Sequence, residues 1–145
     1  MKKKVLIVVS DYYKDISEAL LKSTKKYLNK KISLKIIKVP GVFEIPVTIS
    51  KNIKKFDGFV AIGIIIKGET PNFDLISHAI TNGLIELSII YKKPIGNAIL
   101  TCLNSDQAKA RNNKGEEAVD AVLNVLNYNV SKWYNKILKQ ILVQE

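Results

Sequence analysis

Phe59-Val60-Ala61-Ile62-Gly63-Ile64-Ile65-Ile66-Lys67-Gly68-Glu69-Thr70-Pro71-Asn72-Phe73-Asp74 decides the fold class. Phe59 to Ile66 is an almost unbroken apolar run, the pattern of a strand covered on both faces in a parallel sheet. Beyond it, Leu75, Ile76, Ala79, Ile80, Gly83, Leu84 and Leu87 recur at helical spacing. Between the two, Thr70 is a good N-cap, and Pro71 suits the first helical position, where a missing N–H costs nothing. Backbone N–H groups around Gly68 to Asn72 then point at one spot, with the positive end of a helix dipole behind them. Such a turn binds anions, phosphate above all. An ordinary strand–turn–helix junction has the same features and stays open as the plainer reading.

Upstream, Lys4 to Val9 reads as a first strand, and Asp15 to Leu28 as a helix with Ile16, Leu20, Leu21, Thr24 and Leu28 on one face. Ser33 to Val39 alternates, with Leu34 and Ile36 inward and Lys35 and Lys38 outward, which predicts a strand at a sheet edge. Pro40-Gly41 breaks the chain before a helix over Phe43 to Ile53, entered near Glu44, and Phe56-Asp57-Gly58 turns into the third strand. Downstream, the long helix runs to about Tyr91 and stops at Lys93-Pro94; Ile95 to Thr101 is a fourth strand. Asn104 to Ala110 reads as a short helix, Arg111 to Gly115 as a loop, and Glu116 onward as a long final helix. Its stripe is Val119, Val122, Leu123, Leu126, Val130, Trp133, Ile137, Leu138 and Ile141, more than one small sheet can cover, so self-association is expected.

This alternation predicts an α/β fold: a three-layer α/β/α sandwich around a four-stranded parallel sheet, joined by right-handed crossovers. Ligands of such sheets bind beyond the carboxyl ends of the strands. Those ends are Ser10 to Tyr13, Val39 to Glu44, Lys67 to Asn72 and Thr101 to Asn104, and all four loops are expected to converge. They offer the aromatics Tyr12, Tyr13 and Phe43, the carboxylate of Glu44 and the anion turn. A flat heterocycle plus a phosphate fits that inventory.

Composition bounds the function. With 145 residues, 47% hydrophobic and 25% charged, the chain is expected to form one domain over residues 1–145, its C-terminal helix extending beyond about residue 127. No apolar run reaches 18 residues, so no membrane span is expected, and Met-Lys-Lys-Lys before Val5 to Val9 lacks a signal-peptide pattern. A cytoplasmic location follows as the expectation. A single cysteine, Cys102, and a single histidine, His78, exclude an internal disulfide and cysteine- or histidine-rich metal sites. The net charge of +10 raises nucleic acid, but the cations are scattered singly and in pairs without interleaved aromatics, so solvated faces are expected instead. Arg111 is the only arginine among 23 cations, and marks where a planar, permanently charged fork serves a phosphate or carboxylate.

Val39-Pro40-Gly41-Val42-Phe43-Glu44-Ile45-Pro46, Ile66-Lys67-Gly68-Glu69-Thr70 with Phe73-Asp74, and Asn113-Lys114-Gly115 after the fourth strand resemble the 6,7-dimethyl-8-ribityllumazine synthase family, in order and separation, from Lys4 to about Leu126. The resemblance implies a flavodoxin-like fold and the condensation of 5-amino-6-(ribitylamino)uracil with 3,4-dihydroxy-2-butanone 4-phosphate, the penultimate step of riboflavin synthesis. It implies no cofactor and no metal. It also implies homopentamers, sometimes built into decamers or sixty-subunit shells, with each active site between neighbouring subunits.

Residue by residue, the resemblance puts Tyr12 against the pyrimidine, where the family has Phe or Trp. Val42, Phe43 and Glu44 would hold the ribityl chain, and the main chain of Ile64, Ile65 and Ile66 the uracil edge. Gly68, Glu69 and Thr70 would take the phosphate. Asn97 would face the neighbour's pocket, and Arg111, at the family's Gln-Ala-x-x-Arg spacing with Gln107 and Ala108, would bind phosphate across the interface with Lys114 adding charge. Without the resemblance these residues also read as a loop aromatic, a first-turn acid and plain core.

Two departures stand out. The family's proton-transfer histidine, directly before the Phe-Asp pair, is Asn72 here, and an amide orients or hydrogen-bonds but does not titrate. His78 lies nearly two turns further on and reads as a helix-face residue. The loop between Arg111 and Asn113 is several residues shorter than usual, which leaves the register of Arg111 open. Holding two reactants together supplies ~7–11 kcal/mol in the best cases, and a positioned acid–base roughly 10²–10⁴-fold, so an active but slower synthase with muted pH dependence is expected. A paralogue that binds a lumazine or flavin, or forms a shell, without chemistry is the alternative that Asn72 favours; a basic module that binds nucleic acid is a second.

Overall fold

The computed structural model describes residues 2–27, 32–68, 72–127 and 139–143. Strands β1 (Lys3–Ser10), β2 (Ile32–Val39), β3 (Gly58–Ile66) and β4 (Ile95–Cys102) form one parallel sheet in the order β2-β1-β3-β4. Helix α1 (Lys14–Tyr27) connects β1 to β2, α2 (Ile45–Asn52) leads to β3, and α3 (Asn72–Tyr91) crosses to β4. Helices α4 (Ser105–Ala110) and α5 (Lys114–Leu126) follow.

The strand patterns have a direct cause in this order. β1 and β3 are central, and Val5 to Val9 and Phe59 to Ile62 are buried on both faces. β2 is an edge strand whose side chains alternate between part-covered and exposed, as Lys35 and Lys38 predict. One face of the sheet packs Ile7, Val9 and Val60 against Leu20, Val119 and Val122 of α1 and α5. The other packs Leu6, Val8 and Phe59 against Ile45 and Ile49 of α2 and Leu84 of α3. Three layers result, the flavodoxin-like α/β/α arrangement, and each fully buried side chain of this size contributes about 1.5–3 kcal/mol.

Small residues set the helix distances. A Cβ on Gly115 at the start of α5 would overlap Thr24 Oγ1, and would stand 2.8 Å from the Leu20 carbonyl oxygen. A Cβ on Gly96 of β4 would strike the Ala118 carbonyl oxygen. Helix α5 can therefore lie against both α1 and the sheet.

Several local expectations need correction. Residues Val42–Glu44 form one 3-10 turn, and the α-helix begins only at Ile45 with Pro46 in its first turn, later than the expected start at Phe43. Helix α5 starts at Lys114, not Glu116, because the Asn113 carbonyl already accepts from the Glu116 and Glu117 N–H groups at 3.1 and 3.4 Å. In α3 only Ile80 and Leu84 are buried; Leu75 and Ala79 of the expected stripe are exposed, and so are Ile85, Ile89 and Ile90. By length and composition α3 is long and apolar enough to cross a membrane, but its Ile80–Leu84 face is packed on the sheet as a β3–β4 crossover. Of the final helix's stripe, Val119 and Val122 are buried, Leu123 and Leu126 pack on the core, and Ile141 is exposed. Val130, Trp133, Ile137 and Leu138 lie outside the described residues.

Candidate active site

Two of the four strand-end loops, together with the last residues of β3, close on one cavity of about 410 Å³. Its lining comes from the end of β1 (Ser10, Tyr12, Tyr13), the segment after β2 (Pro40 to Glu44), the end of β3 (Ile64 to Ile66), and Ile76 of α3. This is the carboxyl end of the sheet, where the backbone groups of the last strand residues run out of partners. Asp11 N still donates to the Val39 carbonyl at 2.9 Å, which ties the first two loops together.

Sequence fixes the shape of the loop after β2. Gly63 of β3 carries no side chain, and a Cβ there would stand 2.6 Å from Val42 Cγ1 and 3.3 Å from Ser10 Cβ. Val42 therefore drops onto the sheet, while Phe43 next to it points out and stays 73% exposed. Glu44 closes the turn, its N–H donating to the Gly41 carbonyl at 3.2 Å. Its carboxylate is half-buried, with Oε2 3.2 Å from where a Cβ on Gly41 would stand. Glu44 is the one carboxylate of the cavity lining, and among the described residues its oxygens have neither hydrogen-bond nor ion-pair partner. A half-buried acceptor left free in this way suits hydroxyl or amine donors on a ligand.

Tyr12 is 74% exposed and meets half-buried Tyr13 edge-to-face, with ring centroids 4.9 Å apart and planes at 77°. The pair gives the cavity an open aromatic rim above an aliphatic floor of Ile64, Ile65 and Ile66. A planar ring can lie on such a rim, because aromatic faces gain from offset or edge contacts beyond simple burial.

Two loops depart from the expected convergence: Thr101 to Asn104 does not line this cavity, and neither do Lys67, Gly68 and Asn72, the described residues of the loop after β3. Instead Thr101, with Ile99 and Leu100, forms a second cleft of about 390 Å³ together with Arg111, Asn113, Lys114 and Glu117. Arg111 is held by tight local structure. Asn104 Oδ1 caps α4 by accepting from the Gln107 N–H at 2.9 Å, and Gln107 Oε1 accepts from the Leu103 N–H at 2.8 Å. Arg111 then caps the other end, its N–H donating to the Ala108 carbonyl at 3.1 Å while its own carbonyl accepts from Lys114 N–H at 3.1 Å. Gln107 and Ala108 thus serve as scaffold for the Arg111 turn. Lys114 Nζ pairs with Glu117 at 3.1 Å, so among the described residues Arg111 is the cation of the cleft lining without an ion-pair partner.

The remaining candidates are dispersed. Gly68 has open space where a Cβ would stand, with no described residue beyond its chain neighbours within 4 Å. Glu69 and Thr70 lie outside the described residues. Asn72 is the exposed first residue of α3 and is not part of the cavity lining. Asn97, exposed on edge strand β4, turns its Oδ1 back to accept from the Ile99 N–H at 2.9 Å, capping an edge donor. Among the described residues no cluster of His, Cys, Asp or Glu could hold a metal. Sequence reasoning names Tyr13 among the loop aromatics but does not single out Ser10, Ile76 or Thr101 as site residues. Tyr13 was legible from its place in the first strand-end loop, whereas Ile76 looked like any other member of a helical stripe.

The sequence model described as 6,7-dimethyl-8-ribityllumazine synthase matches residues 2–129. The chain is similar to the 6,7-dimethyl-8-ribityllumazine synthase of Bartonella tribocorum, 40% identical over 134 residues that cover 85% of this chain and 89% of the relative. It is similar to that of Agrobacterium fabrum at 37% over 135 residues, 84% of this chain and 91% of the relative. For the synthase of Corynebacterium kroppenstedtii the values are 35% over 128 residues, 83% and 80%. With its fold, its strand-end cavity and this match over most of its length, the chain belongs to the 6,7-dimethyl-8-ribityllumazine synthase family.

Proposed function

We propose that this chain is a transferase that condenses 5-amino-6-(D-ribitylamino)uracil with 3,4-dihydroxy-2-butanone 4-phosphate to 6,7-dimethyl-8-ribityllumazine in riboflavin biosynthesis, releasing phosphate and water. The observation that carries the reading is the strand-end cavity, which joins an aromatic rim, an aliphatic floor and one unpartnered carboxylate. Tyr12 stacks on the pyrimidine, braced by Tyr13. Main-chain groups of Ile64 to Ile66 meet the uracil edge, and Val42, Phe43 and Glu44 hold the ribityl chain. The corner from Gly68 through Glu69 and Thr70 takes the phosphate, with Arg111 and Lys114 supplying positive charge from a neighbouring subunit and Asn97 facing that subunit's pocket.

The chemistry asks little of a titrating group. The primary amine adds to the ketone, phosphate leaves, and the ring closes, each step favoured chiefly by holding two reactants in contact, worth ~7–11 kcal/mol in favourable cases. Asn72, in place of an imidazole, orients substrate by hydrogen bonding without exchanging a proton. No metal or cofactor enters this scheme.

The assembly is a homo-oligomer, a pentamer or a multiple of pentamers, of single-domain chains that work in the cytoplasm. Two features support subunit sharing of the site: the Arg111 cleft and the substrate cavity have no lining residue in common, and α3 leaves Ile89 and Ile90 69% and 68% exposed in the single chain. Burying such side chains is worth about 1.5–3 kcal/mol each. Incubation with both substrates tests the proposal: lumazine should form well above the rate without protein, and equal rates would discard it.

A further inference from the structure

At the amino-terminal end of the sheet, away from the cavity, lysines that are far apart in sequence meet. Lys2, Lys3 and Lys4 at the start of β1, Lys54 and Lys55 after α2, and Lys93 before β4 line one cleft of about 320 Å³ with Phe56 and Asp57. The parallel sheet is the cause, since β1, β3 and β4 all begin at this end and the segments preceding them lie side by side. Phe56, edge-on to buried Phe59 with ring centroids 6.1 Å apart, anchors the middle segment.

The positive charge here is not balanced locally. Asp57, the one carboxylate of the lining, accepts from the Lys4 backbone N–H at 2.7 Å, and its own N–H donates to the Lys4 carbonyl at 2.8 Å. Lys93 Nζ donates to the Ile53 carbonyl at 2.6 Å. None of the six ammonium groups forms an ion pair with a carboxylate among the described residues, and all but Lys93 are exposed. Like charges gathered without partners repel one another, and a bound polyanion relieves that repulsion.

We propose that this cleft is a sequence-independent docking surface for the phosphate backbone of single-stranded nucleic acid. Lysine is a compact point charge on a flexible stem, which matches a phosphate wherever it lies and reads no base edge. The lining holds no arginine fork and no side-chain amide, the groups that discriminate bases. A strand with one charge per nucleotide can engage several of these cations together, whereas a lone phosphate meets one or two. An acidic protein segment, whose carboxylates are interrupted by neutral residues, fits the density less well. The surface repeats on every subunit of an oligomer, so one strand can engage several copies.

The experiment measures binding of the native oligomer to a labelled oligothymidylate by fluorescence anisotropy as salt rises. With five ammonium groups free of backbone bonds, log K should fall against log salt with a slope of about −3.5, at roughly 0.7 per neutralised phosphate. The combined Lys2→Glu, Lys54→Glu, Lys55→Glu chain should bind at least roughly tenfold more weakly. A charge-matched control, Lys22→Glu, Lys25→Glu, Lys26→Glu on the exposed face of α1, should lose far less. Both variants should keep lumazine formation, which shows that they fold. Equal losses in the two variants would mean bulk charge alone and overturn the proposal, as would wild-type chain that does not bind. Polyglutamate competing as well as unlabelled oligothymidylate would assign the cleft to acidic protein segments and overturn it too.

Discussion

Val42 occupies the space that a side chain at position 63 would need: a Cβ built on Gly63 stands 2.6 Å from Val42 Cγ1. One glycine in the middle of β3 therefore determines how closely the loop after β2 approaches the sheet, and with it where Phe43 and Glu44 stand. Gly63→Ala should lift that loop. Overpacking of this kind typically costs 1–3 kcal/mol, so the melting temperature should fall by several degrees and the KM for the pyrimidine should rise more than that for the ketone phosphate. Unchanged KM values with a lower melting temperature would separate the fold effect from the site effect.

Glu44→Gln keeps the shape of the turn and removes the charge. Hydrogen bonds to a charged group are worth about 1.5–3 kcal/mol, so the KM for the ribityl substrate should rise roughly tenfold or more with a smaller change in kcat. Steady-state kinetics with the second substrate saturating measures this. An unaltered KM would remove Glu44 from ribityl binding.

Arg111 should act through its planar fork. Arg111→Lys keeps one charge but loses the paired donors, so the KM for the phosphorylated ketone and the Ki for inorganic phosphate should both rise by roughly tenfold. Glu44→Ala and Arg111→Ala chains, each weak alone, should recover activity when unfolded together and reassembled, because a mixed oligomer can bring one intact cavity beside one intact arginine. No recovery in mixed oligomers would place Arg111 at its own chain's cavity or at neither.

Asn72→His adds a titrating group where α3 begins. Its turnover should exceed that of the native chain, by at most the 10²–10⁴-fold typical of a positioned acid–base. Its rate profile should also gain a step near the ordinary histidine pKa of about 6.5, which the native profile lacks. Equal rates and a flat profile in both would show that position 72 does not reach the reacting atoms.

The layers could be read from the amino-acid pattern. Apolar runs at Val5 to Val9 and Phe59 to Ile66, and the alternation of Ser33 to Val39, distinguish central strands from an edge strand, because side-chain burial follows strand position directly. Of the cavity residues, Tyr12, Tyr13, Phe43 and Glu44 were legible because a parallel sheet sends all its carboxyl ends the same way, whereas Val42 and Ile64 to Ile66 followed only from the family resemblance. Family motifs added roles that periodicity could not supply. Tertiary structure alone decided which long-range neighbours meet. It placed Arg111 in a cleft apart from the cavity, left Leu75, Ile89 and Ile90 of α3 outside the core, and drew six lysines from three segments to one rim. The reason is physical: a periodicity records which face of an element is apolar, whereas the residues gathered at a sheet's end depend on strand order and loop reach, which no local pattern encodes.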